Sequence, residues 1–112
     1  MNDIAIYGAG GFGKEIACLI YWINEVKPQW NLIGFFDDGV ECETQISHYG
    51  KVLGGMDTLN SWNKSLSVVF AIANNKVLCK LSSLIANINI QFPNIIAPNI
   101  VIKDVETFKI GK

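Results

Sequence analysis

The apolar run Ile4-Ala5-Ile6-Tyr7 passes straight into Gly8-Ala9-Gly10-Gly11-Phe12-Gly13, and a helical apolar pattern begins at once behind it. Strand, glycine turn, helix is the order in which α/β proteins build a phosphate site. Gly8 would permit the tight turn off the strand, Gly10 would let backbone approach a diphosphate, and Gly13 would let the helix pack close to the sheet. The N–H groups left over at the helix start, together with the helix dipole, favour an anion. The competing explanation is glycines that serve only the turn and the packing of the helix.

At 112 residues the chain is one domain's worth of sequence. Half of the residues are hydrophobic and 17% are charged, which suits a sheet buried on both faces or a surface reserved for a partner. A net charge of −1, with lysines scattered, gives no electrostatic case for nucleic acid or an anionic membrane. Cys18, Cys42 and Cys79 form no C-x-x-C pair and read as reduced thiols of a cytoplasmic protein, with Cys18 and Cys79 expected in the core. No basic-then-apolar leader precedes Ile4, and no apolar stretch approaches membrane-spanning length. His48 is the only histidine and is expected in a solvated loop, so no metal site is expected.

Further along, apolar residues at Phe12, Ile16, Leu19, Ile20 and Ile23 mark one helix face, and Lys27-Pro28 should stop that helix. Leu32 to Phe36 predicts a strand ending in the turn Asp37-Asp38-Gly39. The stretch from Glu41 to Tyr49 is polar and expected to be irregular. Lys51 to Gly55 should be extended, followed by a short helix whose first turn Asp57 caps or complements. Leu66 to Ala73 predicts a buried strand. Asn74-Asn75 offers a cap to a helix whose core face carries Val77, Leu78, Leu81, Leu84 and Ile85. Asn89 to Pro93 would be a short closing strand. The alternation implies a small Rossmann-like α/β domain, with a parallel sheet and helices on both faces.

From Ile95 the helical period ends, and Ile96, Ile102 and Phe108 recur at intervals of six. That spacing belongs to hexapeptide β-helices, in which about three or more repeats are needed for stability. On periodicity alone, the tail is either the start of such a β-helix or a frayed terminus.

Taken together, the chain resembles the N-terminal domain of bacterial sugar acyltransferases of the sialic-acid O-acetyltransferase and UDP-amino-sugar N-acetyltransferase group. The matching segments are Ile6 to Glu15, Ile33-Gly34-Phe35-Phe36-Asp37-Asp38, Leu53-Gly54-Gly55-Met56-Asp57 and Phe92-Pro93-Asn94-Ile95-Ile96-Ala97-Pro98. The resemblance implies a Rossmann-like nucleotide-sugar-binding unit over residues 1–94. It implies that residues 95–112 open a truncated left-handed β-helix, which in that family binds acetyl-CoA, forms a homotrimer and supplies the catalytic histidine. No catalytic residue is then expected in this chain. Three positions depart from the family pattern: Ala97 replaces a histidine, Ala73 replaces a glycine, and only Lys76 or Lys80 stands for a basic residue on the following helix.

The candidate contacts to a UDP-linked sugar are Gly8, Gly10, Gly11, Phe12, Gly13, Lys14, Asp37 and Asp38. Lys14 nearly completes a P-loop, but Glu15 stands where the Mg²⁺-binding hydroxyl belongs, which argues against nucleotide hydrolysis. Lys14 is equally well a surface lysine. Asp37 and Asp38 end the second strand, where a carboxylate can accept from a ribose or a base N–H and would repel a 2′-phosphate. The alternative is a solvated Asp-Asp-Gly turn. Ser82-Ser83 lack a nucleophile-elbow context, and Trp22, Trp30 and Trp62 are expected to pack rather than to stack on bases. Two rival functions fit the same glycine turn: an NAD-binding module of an oxidoreductase or redox sensor, and a non-catalytic interaction domain.

Overall fold

The computed structural model describes residues 2–93; the expected β-helix start at 95–112 and the substitution at Ala97 lie outside them. The elements in chain order are β1 (Asn2–Tyr7), α1 (Gly11–Val26), β2 (Trp30–Phe36), β3 (Gln45–Ile46), β4 (Gly50–Gly54), α2 (Met56–Asn60), β5 (Leu66–Phe70), α3 (Asn75–Leu84) and β6 (Ile90–Gln91). They form one six-stranded sheet in the order β3-β4-β2-β1-β5-β6. Every pair is parallel except β3 with β4. The short β3 falls inside the polar stretch expected to be irregular.

Side-chain alternation splits β1 between two cores. Ile4 and Ile6 join Ile16, Ala17, Ile20 and Ile23 of α1 together with Phe35, Val52 and Val69. Ala5 and Tyr7 face the other way, onto Met56 and Leu59 of α2, Leu78 of α3, and Phe36, Val68 and Phe70. Ile4, Ile6, Ile20, Phe35, Phe36 and Leu59 are fully buried, and each such side chain contributes about 1.5–3 kcal/mol of burial free energy. Helices therefore cover both faces of a central, doubly buried β1.

Helix α1 ends where the sequence says it must. Lys27 precedes a proline and takes an extended conformation, while its N–H still closes onto Ile23 O at 3.0 Å. Asn24 then clamps the exit: its Oδ1 accepts from the N–H groups of Gln29 and Trp30, and its Nδ2 donates to Trp30 O.

Helix α3 is less embedded than its sequence implies. Leu78 is buried and Leu81 and Ile85 are half-buried, but Val77 and Leu84 are 41% and 48% exposed. Successive residues turn about 100° on a helix, so Val77 and Leu84 fall on the flanks of Leu78, and only a narrow stripe meets the sheet. Cys79, one position past Leu78, faces solvent for the same reason, and Cys18, about 200° round from Ile16, does so on α1. Both cysteines are surface residues, which corrects their expected place in the core.

Polar contacts compensate at both ends of α3. Asn74 caps its start, accepting from the N–H groups of Lys76 and Val77 at 2.9 and 3.2 Å. Asn60 of α2 ties down its end, donating to Leu84 O at 3.0 Å and accepting from Ala86 N–H at 2.9 Å.

Of the tryptophans, Trp30 packs under α1 and Trp62 packs edge-on to Phe36 with ring centroids 5.7 Å apart. Trp22 is 38% exposed on the outer side of α1 and does not fit the packing expectation. His48 is exposed as expected, and its ring lies against Tyr49.

Candidate functional site

Among the parallel strands the connections run outward in opposite directions from β1 and β5. From β1 the chain passes through α1 to β2 on one side, and from β5 through α3 to β6 on the other. Such a switch point opens a crevice at the carboxyl ends of the strands, where open α/β sheets bind ligands. The glycine turn sits there.

Gly8 follows β1 with φ +117°, and a Cβ on it would lie 2.9 Å from Ala71 O, at the exit of β5. A Cβ on Gly13 would lie 2.0 Å from Gly8 O, so α1 starts in direct backbone contact with the turn. Gly10 and Gly11 differ: nothing stands within 4 Å of the Cβ either would carry. Gly8 and Gly13 are thus required by the fold, whereas Gly10 and Gly11 leave backbone open to whatever enters the crevice. Gly10 is the N-cap of α1; no side chain caps that end and no acidic residue lies in its first turn. The positive end of the dipole therefore points into the crevice with no carboxylate in the helix's first turn to offset it. Phe12 is partly buried against the α1 core, and Lys14 is exposed.

The two aspartates after β2 divide. Asp37 turns toward the glycine loop: its Oδ2 accepts the Ala9 N–H at 2.9 Å, and its Oδ1 accepts the Gly39 N–H at 2.8 Å. Its own N–H donates to Gly54 O at 2.9 Å, and Gly8 N–H donates to Phe36 O at 2.8 Å, so the exits of β1, β2 and β4 are laced together. Asp38 turns the other way, onto the opposite core. Its Oδ1 accepts the Met56 N–H at 3.0 Å at the start of α2, and its Oδ2 accepts a hydrogen bond from the Tyr7 hydroxyl. Burial, then the bond to Asp38, then the charges of Asp38, Asp37 and Asp57 hold the Tyr7 hydroxyl far above the usual tyrosine range.

The structure thus brings Gly8, Gly10, Gly11, Gly13 and Asp37 to one crevice and gives Asp38 a structural post behind it. Asp57 lies in the first turn of α2, but the carboxylate that meets the free amide there belongs to Asp38. Ile72 lies beside the turn from the β5 exit, its Cδ1 3.4 Å from where a Cβ on Gly8 would stand. Sequence reasoning used Tyr7 only as the end of a strand; its place on the Asp38 side follows from alternation along β1.

A hollow of about 450 Å³ opens at the opposite, amino-terminal end of the strands, lined by Asn2, Asp3, Trp30, Ser67, Gln91 and Phe92. It has no residue in common with the glycine turn. Among the described residues, no group of three or more His, Cys, Asp or Glu could hold a metal ion, and no helix is long and apolar enough to cross a membrane.

None of the curated proteins compared matches the sequence significantly. Among solved structures, the acetyltransferase domain of PglB from Neisseria gonorrhoeae FA1090, in complex with acetyl coenzyme A, is similar with a TM-score of 0.69 and 25% identity. A second structure of that domain gives a TM-score of 0.69 at 22% identity. Each similarity covers 88% of this chain but 46% of the PglB domain, so the chain spans less than half of that relative. The family profile described as the PglD N-terminal domain matches residues 3–84, which covers all of β1 but its first residue and runs through α3. By that match, the chain belongs to the PglD N-terminal domain family.

Proposed function

We propose that this chain is the nucleotide-sugar-binding N-terminal part of an acetyl-CoA-dependent sugar acetyltransferase, and that it does not transfer acetyl groups by itself. The observation that carries this is the uncapped start of α1 behind a turn whose Gly10 and Gly11 leave open backbone at the β1/β5 switch point. Membership of the PglD N-terminal domain family and likeness to an acetyltransferase domain support it.

In this proposal the diphosphate of a UDP-linked sugar lies along Gly8, Gly10, Gly11, Phe12 and Gly13. Lys14 adds a positive charge at the rim, and Asp37 accepts from the nucleoside. Asp38 holds α2 in place and acts on the ligand only through it. The boundary falls near residue 94, and acetyl-CoA binding, the catalytic base and a trimeric assembly belong to the β-helix that follows. Polysaccharide biosynthesis in the cytoplasm is the setting that suits such an enzyme.

Isothermal titration with a UDP-N-acetyl sugar and with NADH tests this. Binding of the UDP-sugar with no comparable NADH response is expected. Tight NADH binding without a UDP-sugar response would instead identify an oxidoreductase module, and acetylation of a UDP-amino sugar by this polypeptide alone would refute the division of labour.

A further inference from the structure

We infer that Asp37 sets where the phosphates lie in the crevice: by occupying the Ala9 amide, it bars that amide of the turn to anions and keeps the space beside itself for an uncharged donor. The inference rests on the nucleotide-binding proposal and adds a selectivity rule to it.

An amide within a glycine turn is ordinarily available to a phosphate oxygen. Here it is already taken, because Ala9 N–H donates to Asp37 Oδ2 at 2.9 Å. The carboxylate is not a loose side chain that a ligand could simply push aside. Its second oxygen accepts from Gly39 N–H at 2.8 Å, and its backbone is pinned by Gly54 O at 2.9 Å. Ala9 itself is buried, 6% exposed.

A carboxylate accepts at about four lone-pair positions and donates at none. Two of those positions on Asp37 are used by Ala9 and Gly39. The remaining capacity suits an N–H or O–H of a nucleoside and repels a phosphate oxygen, which also offers only lone pairs and negative charge. The diphosphate is therefore displaced along the turn toward Gly10, Gly11 and the start of α1, where no carboxylate stands in the first turn. One residue thereby does two things: it orients the nucleoside end by attraction and the phosphate end by repulsion.

The test uses the full chain as wild type, Asp37→Ala and Asp37→Asn, titrated calorimetrically with inorganic pyrophosphate, uridine and UDP. Asp37→Ala frees the Ala9 amide and removes the charge; pyrophosphate should bind about tenfold more tightly and uridine about tenfold more weakly, with UDP changing less than either. Asp37→Asn keeps an acceptor oxygen for Ala9 while giving up the bond to Gly39, and it serves as the second variant if the alanine variant unfolds. It should still show the gain for pyrophosphate, because the charge is gone. Unchanged pyrophosphate affinity in both variants, or equal losses for pyrophosphate and uridine, overturns the inference. Wild type that binds neither uridine nor UDP refutes the nucleotide proposal instead, while the pyrophosphate ratio between variants still decides whether Asp37 repels anions from the turn.

Discussion

The hydroxyl of Tyr7, at the last position of β1, donates a hydrogen bond to the carboxylate of Asp38, and the same carboxylate accepts the Met56 N–H that opens α2. A side chain from the central strand and a helix start are thus joined through one residue of the β2 exit. A hydrogen bond to a charged group is worth about 1.5–3 kcal/mol. Asp38 is solvent-exposed, so the lower part of that range applies. Tyr7→Phe should lower stability by about 1–2 kcal/mol in urea denaturation, and Asp38→Ala by more, since it also strips the helix start of its acceptor. The double variant should cost little beyond Asp38→Ala alone, because both substitutions break the same bond.

The same pair predicts an alkaline limit. The Tyr7 hydroxyl is held above the ordinary tyrosine value of 10.0, chiefly by burial and then by Asp38. The unfolded chain releases that proton near its ordinary pKa while the folded chain keeps it. The stabilising contribution is therefore complete below about pH 10 and declines as the pH rises further, by up to about 1.4 kcal/mol per pH unit. Tyr7→Phe should flatten the alkaline limb of a stability-against-pH profile.

Much of this architecture is legible from local chemistry. The end of α1 is fixed by Lys27-Pro28, the Asn74 cap is a local side-chain preference, and β1, β2 and β5 show as apolar runs, whereas the two-residue β3 hides in a polar stretch. Period-counting overstates α3, because it treats every apolar residue near one face as buried, whereas the sheet beneath α3 fully covers Leu78, half-covers Leu81 and Ile85, and leaves Val77 and Leu84 exposed. The roles of Asp37 and Asp38 are not local at all. Adjacent residues point to opposite sides of the sheet, one to Ala9 and one to Tyr7 and Met56, and those partners are set by strand order. A turn signal in the sequence says that both are polar; only the packing of β1 between β2 and β5 says what each one holds.

Two glycines of one turn should respond in opposite ways. Gly13→Ala drives a Cβ to within 2.0 Å of a backbone oxygen, so α1 must move off the turn. The cost should be about 3 kcal/mol or more, seen as a large fall in Tm. Gly10→Ala meets nothing within 4 Å, and its stability change should stay within about 0.5 kcal/mol. If a diphosphate lies over that backbone, Gly10→Ala should nevertheless weaken UDP-sugar binding about tenfold or more at unchanged Tm.

Helix α3 offers the sharpest separation of local from global stability. Its one buried apolar side chain cannot hold ten residues in place, and the asparagines at its two ends make up part of the difference. Asn74→Ala removes an N-cap and should cost about 1 kcal/mol. Asn60→Ala removes both contacts to the far end and exposes Leu84 O and Ala86 N–H to water at little global cost. Hydrogen exchange should therefore speed up across the last turn of α3 in Asn60→Ala and across its first turn in Asn74→Ala, with α1 amides unaffected in both. Uniform acceleration across α1 and α3 in either variant would mean that α3 opens only with the whole domain, and that its side-chain anchors matter less than its contact through Leu78.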